Sequence, residues 1–209
     1  MDASDLDHRA RTRSGCIPPE LVSRLLDRGH IDVVESQAGR GEWFCALAWA
    51  RLLGEQGRQA DALEMLAPYL TTGWWTAVEA AAELLEGWGR VDEAIEITRV
   101  RMEAGHPLAL ESYTRLLARH GRAEEAFSLL RPHIGQSSLA VALVDVAAAA
   151  GRTEEAIAVL EQHPSANRHD LAGHLIDLGR TEDALAVLQR RTPRMSELPG
   201  GPWHDDPPF

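Results

Sequence analysis

Glu83-Leu84-Leu85-Glu86-Gly87-Trp88-Gly89-Arg90-Val91-Asp92-Glu93-Ala94-Ile95 holds the end of one helix, a turn and the start of the next. Before the turn, Val78, Ala81, Ala82, Leu84 and Leu85 fall on one apolar stripe at helical spacing, and after it Ala94, Ile95, Ile97 and Val100 do the same. The spacing predicts helices over 76–86 and 91–102, with Gly89 at the bend. A glycine there enters the left-handed region without a Cβ clash, satisfies the carbonyls of the first helix and reverses the chain.

The phrase recurs. Gly57-Arg58, Gly121-Arg122, Gly151-Arg152 and Gly179-Arg180 each precede an acid, an alanine and a large apolar residue, and a degenerate copy at Gly29 has Val34 in place of the alanine. The glycines stand 28, 32, 32, 30 and 28 residues apart, the period of helical-hairpin repeats. Asp61, Glu93, Glu125, Glu155 and Asp183 fall in the first turn of each second helix, facing its positive dipole end, and Thr153 and Thr181 fit as N-caps. Ala62, Ala94, Ala126, Ala156 and Ala184 mark points of close helix approach. Leu63, Ile95, Phe127, Ile157 and Leu185, with Leu66, Leu130, Leu160 and Leu188, are read as the filling between hairpins.

The expected fold is therefore all-α, a right-handed αα-superhelix of about six hairpins. Residues 1–16 read as a charged, flexible N-terminal segment, 17–191 as the repeat domain, and 192–209 as a Pro/Gly-rich tail. Met195, Leu198, Trp203 and Phe209 in that tail fold back over the open face of the last hairpin, or that face pairs with another molecule, or 203–209 is itself a short docking motif. Pro68, Pro107, Pro132 and Pro164 are placed between hairpins. The longest apolar stretch, 139–150, carries Asp145 and is too short for a bilayer, so it reads as a buried helix whose aspartate is semi-buried.

A net charge of −11 repels phosphate backbones and anionic membranes, so neither nucleic acid nor membrane is expected as a partner. Cys16 and Cys45 are far apart in the repeat scheme, which argues against a disulfide, and 1–15 lacks the apolar core of a secretory signal. A cytoplasmic location follows as the expectation. All 21 basic residues are Arg. The histidines are scattered, and Asp170 and His174, four apart with His169 adjacent, lack a third ligand at metal spacing. His120 reads as a residue at a helix end. Neither catalytic residues, cofactor nor metal is expected.

These residues resemble the tetratricopeptide repeat: Ala50, Ala82 and Thr114 match its small first-helix position, the glycines its turn, and Ala62, Ala94 and Ala126 its second-helix alanine. The period is shorter than the family's, and its first-helix aromatic is absent. The chain is also similar to helical repeat proteins of GC-rich actinobacteria. The resemblance implies a non-catalytic scaffold that binds a protein or peptide in a groove lined by first helices. Carried onto this sequence, the lining is Phe44, Leu47 and Arg51; Glu79, Glu83 and Glu86; Leu108, Glu111, Arg115 and Arg119; Val141 and Asp145; His169 and Asp177. The family's clamp on a C-terminal carboxylate needs Lys and Asn, which these positions lack. A basic or Arg-containing peptide suits Glu79, Glu83 and Glu111, with Arg51 and Arg115 as cationic points.

Trp43, Trp49, Trp74, Trp75 and Trp88 crowd into two repeats. Trp49 lies on the buried stripe. Trp74 and Trp75 cannot point the same way, so one of them reads as an exposed anchor for a partner, or both wedge the loop between hairpins. A solvated charged face accounts for the acidic residues without any partner. A second reading makes the array a regulatory segment that relays a bound signal to an output domain on another chain.

Overall fold

A computed structural model describes residues 2–133, 137–160, 164–177 and 179–189, which form thirteen α-helices and a 3-10 turn at Arg131–His133, with no strand among the described residues. The chain divides into two compact units between His120 and Gly121, a division inside the segment read as one repeat domain. The first unit holds α1 (Ala3–Thr12), α2 (Pro19–Asp27), α3 (Ile31–Gly39), α4 (Trp43–Glu55), α5 (Gln59–Leu70), α6 (Trp75–Gly87), α7 (Val91–Glu103) and α8 (Ala109–Arg119). The second holds α9 (Ala123–Leu130), α10 (Ser137–Ala150), α11 (Thr153–Leu160), α12 (Pro164–Asp177) and α13 (Thr181–Gln189). Among the described residues no helix is long and apolar enough to cross a membrane. The tail at 192–209 lies outside the described residues.

From α2 to α8 each helix packs on the next, and α4 also touches α2 and α6. In the second unit α10 packs on α9, α11 and α12, and α12 on α13. The turn glycines behave as their spacing requires. Gly89 has φ +76°, its N–H donates to Glu86 O at 2.9 Å, and Arg90 N donates to Leu85 O at 2.8 Å, which closes α6 with a six-residue loop of hydrogen bonds. Turns within and between hairpins share the left-handed glycine: Gly41, Gly57, Gly73, Gly89, Gly105 and Gly121 all have positive φ and stand sixteen residues apart. The repeat alanines Ala62, Ala94, Ala126, Ala156 and Ala184 are all fully buried, and so is Val34, which stands at the same point of the degenerate copy.

Several expectations change. Residues 3–12 are helical: the Asp2 carboxylate accepts from Asp5 N at 2.8 Å, Asp5 sits in the first turn and Arg9 and Arg11 in the last. The charges that suggested a solvated tail thus lie at the ends where a helix dipole favours them, and Leu6 is buried. Thr153 and Thr181 open their helices rather than capping them. Arg152 and Arg180 stand at the N-cap, their carbonyls accepting from Ala156 N and Ala184 N at 3.1 Å. Pro68 lies inside the last turn of α5. Asp145 is exposed on α10. Leu185 and Leu188, unlike their counterparts in earlier repeats, are exposed on α13, the last described helix.

Each motif arginine has a further role, binding the acid three residues on: Arg58–Asp61 at 2.6 Å, Arg90–Glu93 at 2.7 Å, Arg122–Glu125 at 2.8 Å, Arg152–Glu155 at 2.9 Å and Arg180–Asp183 at 2.8 Å. In the second unit the same arginines reach back, Arg152 to Glu124 at 3.2 Å and Arg180 to Glu154 at 2.9 Å. Largely exposed pairs like these add little stability singly. They orient the helix starts.

Gly54 in α4 serves a different need. A Cβ there would stand 2.5 Å from Trp88 Cζ2, so the indole packs against bare backbone. Alanine is the better helix former by about 1 kcal/mol, but overpacking of this kind costs roughly 1–3 kcal/mol. Gly54→Ala is therefore expected to lose about 1 kcal/mol net in urea unfolding, and Trp88→Ala in the same chain to remove that penalty. A stabilised Gly54→Ala would show that the ring moves aside freely.

Candidate functional site: an acidic groove between two first helices

The exposed faces of α6 and α8 enclose a groove of about 430 Å³. Helical spacing places Glu79, Glu83 and Glu86 in a row on α6, and Glu111, Arg115 and Arg119 in a row on α8, with Trp75 and Leu108 among the other lining residues. Every position assigned to these two helices by the resemblance lines this one groove. Arg51 does not reach it; with Phe44 and Leu47 it lines a separate cleft of about 230 Å³ along α2 and α4.

Charge is distributed unevenly along the groove. Glu86 accepts from Nε and Nη2 of Arg119, at 2.9 and 2.8 Å, and His120 Nε2 lies 2.8 Å from it. These contacts, Arg119 first, hold its carboxyl below the ordinary range. Arg115 Nη1 lies 3.2 Å from Glu111. Neither Glu79 nor Glu83 forms a salt bridge among the described residues. Glu79 is open to solvent on one side, yet partial burial, then the charges of Glu83 and Glu111, push its carboxyl up. Four carboxylates against two guanidinia leave the groove negative.

The raised carboxyl has a consequence for folding. Because its folded-state pKa lies above the ordinary 4.5, ionised Glu79 opposes folding. The cost is absent well below pH 4.5, grows as pH rises through the raised value, and is complete at neutral pH. Glu79→Gln is expected to stabilise the chain at neutral pH by about 0.2–0.5 kcal/mol, the scale of like charges four apart on a helix, and to have no effect at strongly acid pH. Urea midpoints at the two pH values check this; an equal gain at both would remove the electrostatic explanation.

Neither tandem tryptophan is an exposed anchor. Trp74 is 3% and Trp75 7% exposed. Trp74, the N-cap of α6, turns its ring onto Trp43 at 4.7 Å, in the core and away from the groove. Trp75, one residue on, stacks on His106 at 4.9 Å and 20° and forms part of the groove wall. His106 was not singled out by the sequence, although it follows Gly105 as Trp74 follows Gly73, one repeat earlier. Trp49 is buried as expected. His120 stands at the C-cap of α8, as its position suggested, and its bond to Glu86 is additional.

In the second unit Val141 is half-buried, and Asp145, His169 and Asp177 are exposed. Cys16 and Cys45 are both free thiols, and burial together with the Glu42 carboxylate pushes Cys45 up to about 12, so it stays protonated at neutral pH. Among the described residues no group of three His, Cys, Asp or Glu side chains is placed to hold a metal ion. The side chains of Asp170 and His174 lie outside the described ones. No family model and no curated protein sequence matches this chain.

Proposed function

We propose that this chain is a non-catalytic scaffold of the tetratricopeptide kind, a right-handed superhelix of helical hairpins acting in the cytoplasm, whose α6–α8 groove binds a basic peptide segment of a partner protein. The observation that supports this most is the pair Glu79 and Glu83, two carboxylates on one groove wall that form no salt bridge among the described residues, while Glu86 and Glu111 on the same walls are matched by arginines. An Arg side chain laid along the groove meets both carboxylates with charge-assisted bonds, and the wall of Trp75 and Leu108 receives its aliphatic stem.

A fluorescent Arg-containing peptide, titrated against the chain at low salt, is expected to bind and to weaken as ionic strength rises. Glu79→Arg/Glu83→Arg is expected to weaken it at least ~10-fold, a loss of about 1.4 kcal/mol. An acidic peptide of equal length is expected not to bind. Equal binding by wild type and double variant would discard the groove as the site.

A further inference from the structure

We infer that the run Arg190-Arg191-Thr192-Pro193-Arg194 of one copy of this chain docks in the α6–α8 groove of a second copy, so that the chain joins to itself head to tail. This rests on the groove reading above and names the occupant.

The groove sets a definite demand. Arg119 and His120 answer Glu86, and Arg115 answers Glu111. The charge left over is Glu79 and Glu83, one turn apart on one wall and in no salt bridge among the described residues. Partial burial, then Glu83 and Glu111, push the Glu79 carboxyl up, and a guanidinium laid among them offsets that repulsion. The site calls for closely spaced cations with some apolar surface to meet Trp75 and Leu108.

The chain itself carries such a segment. Three arginines fall within 190–194, no acid occurs from 184 to 196, and Met195 adds an apolar side chain. Pro193 disfavours a helical conformation at Thr192, so the run reads from its sequence as a strip that lies along a groove. Residues 190–194 are outside the described ones. One other run is as dense, Arg9, Arg11 and Arg13, but α1 and its joint engage it. Arg11 pairs with Asp7 at 2.9 Å, Arg13 with Glu20, and Arg9 Nη2 donates to Gly15 O at 3.0 Å.

Tethering places the occupant on another copy. Arg190 directly follows Gln189, the last residue of α13, which leaves no slack before the first arginine. Within the second unit α13 packs on α12, α12 on α10 and α10 on α9. Each such step is about 8–10 Å between axes, whereas five extended residues reach at most about 18 Å. The run therefore starts three packing steps from α9, the helix that follows α8 in the chain. The groove of a second copy imposes no such limit. Each copy then offers one groove and one run, a heterologous contact that extends into a filament or closes into a ring.

Sedimentation equilibrium of the full chain at low salt tests this. The average mass is expected to rise above that of one chain with concentration, and to fall back as salt is added. Glu79→Arg/Glu83→Arg and Arg190→Glu/Arg191→Glu/Arg194→Glu are each expected to weaken association at least ~10-fold. An equimolar mixture of the two variants is expected to associate again, since each groove then meets a run of opposite charge. A wild type that stays monomeric overturns the proposal, as does association that survives the groove variant or a mixture that stays monomeric. Should Glu79→Arg/Glu83→Arg lose its helix content, Glu79→Gln/Glu83→Gln replaces it, and undiminished association there is equally fatal. If an unrelated Arg-containing peptide binds the groove while the wild type remains monomeric, self-docking fails and the groove reading stands. If that peptide does not bind either, both fail.

Discussion

Phe127→Ala is expected to lower folding stability by about 3–5 kcal/mol, the cost of emptying a fully buried aromatic site. Phe127 lies on α9 of the second unit, fully buried, and Arg152 places its guanidinium 4.4 Å above the ring centroid. Truncation removes the packed ring and that cation–π contact, itself worth roughly 0.5–1 kcal/mol at such a site. Leu185, at the same point of its repeat, is 54% exposed, and Leu185→Ala is expected to change stability by no more than about 0.5 kcal/mol. Urea unfolding followed by far-ultraviolet circular dichroism reads both. If Leu185→Ala costs as much as Phe127→Ala, repeat position rather than surroundings sets the energetics, and the burial described above is wrong at one of the two sites.

Ala94→Leu probes the opposite failure. Ala94 is fully buried on α7, which packs along α6, and its carbonyl accepts from Thr98 Oγ1 at 2.8 Å within the helix. Three added carbons must be housed where a methyl suffices, with a cost of roughly 1–3 kcal/mol. The upper end is expected here, because Ala81 and Ala82 on α6, the helix on which α7 packs, are also buried and leave little room to give. Ala94→Gly removes the methyl without crowding and costs about 1 kcal/mol through helix propensity. A Leu variant as stable as wild type would mean that α6 and α7 separate easily, and the alanine would lose its meaning as a packing point.

The helix pairs were legible because the signals that encode them are local. Gly89, Arg90 and Ala94 act within a single turn, and a turn repeated in phase reads the same way each time. The groove was legible for a related reason: Glu79, Glu83 and Glu86 share one face of a helix by spacing alone, as do Glu111, Arg115 and Arg119. What escaped depends on distant partners. That Glu86 receives Arg119 and His120 requires α6 and α8 to be neighbours, which spacing along one helix does not say. The sequence left Trp74 and Trp75 between an exposed anchor and a wedge in the loop, because the direction of a ring at a helix start depends on what waits on either side, here Trp43 for one and His106 for the other. The helix at 3–12 escaped because, with one buried leucine, it has almost no apolar periodicity. The exposure of Leu185 was not legible, since its own repeat phrase matches those of Ile95, Phe127 and Ile157, which are buried.

The even placing of left-handed glycines in the first unit has a genetic consequence. Excising residues 58–89 joins Gly57 to Arg90, so the new junction reproduces the Gly-Arg turn of both parents and each downstream helix keeps its partner's phase. A cut of half that length would bring a second helix where a first helix belongs, setting alanine stripes against groove carboxylates. Recombination between copies of such a gene therefore shortens or lengthens the product in steps of two helices without inventing a new turn, so the length of the array drifts more readily than its architecture.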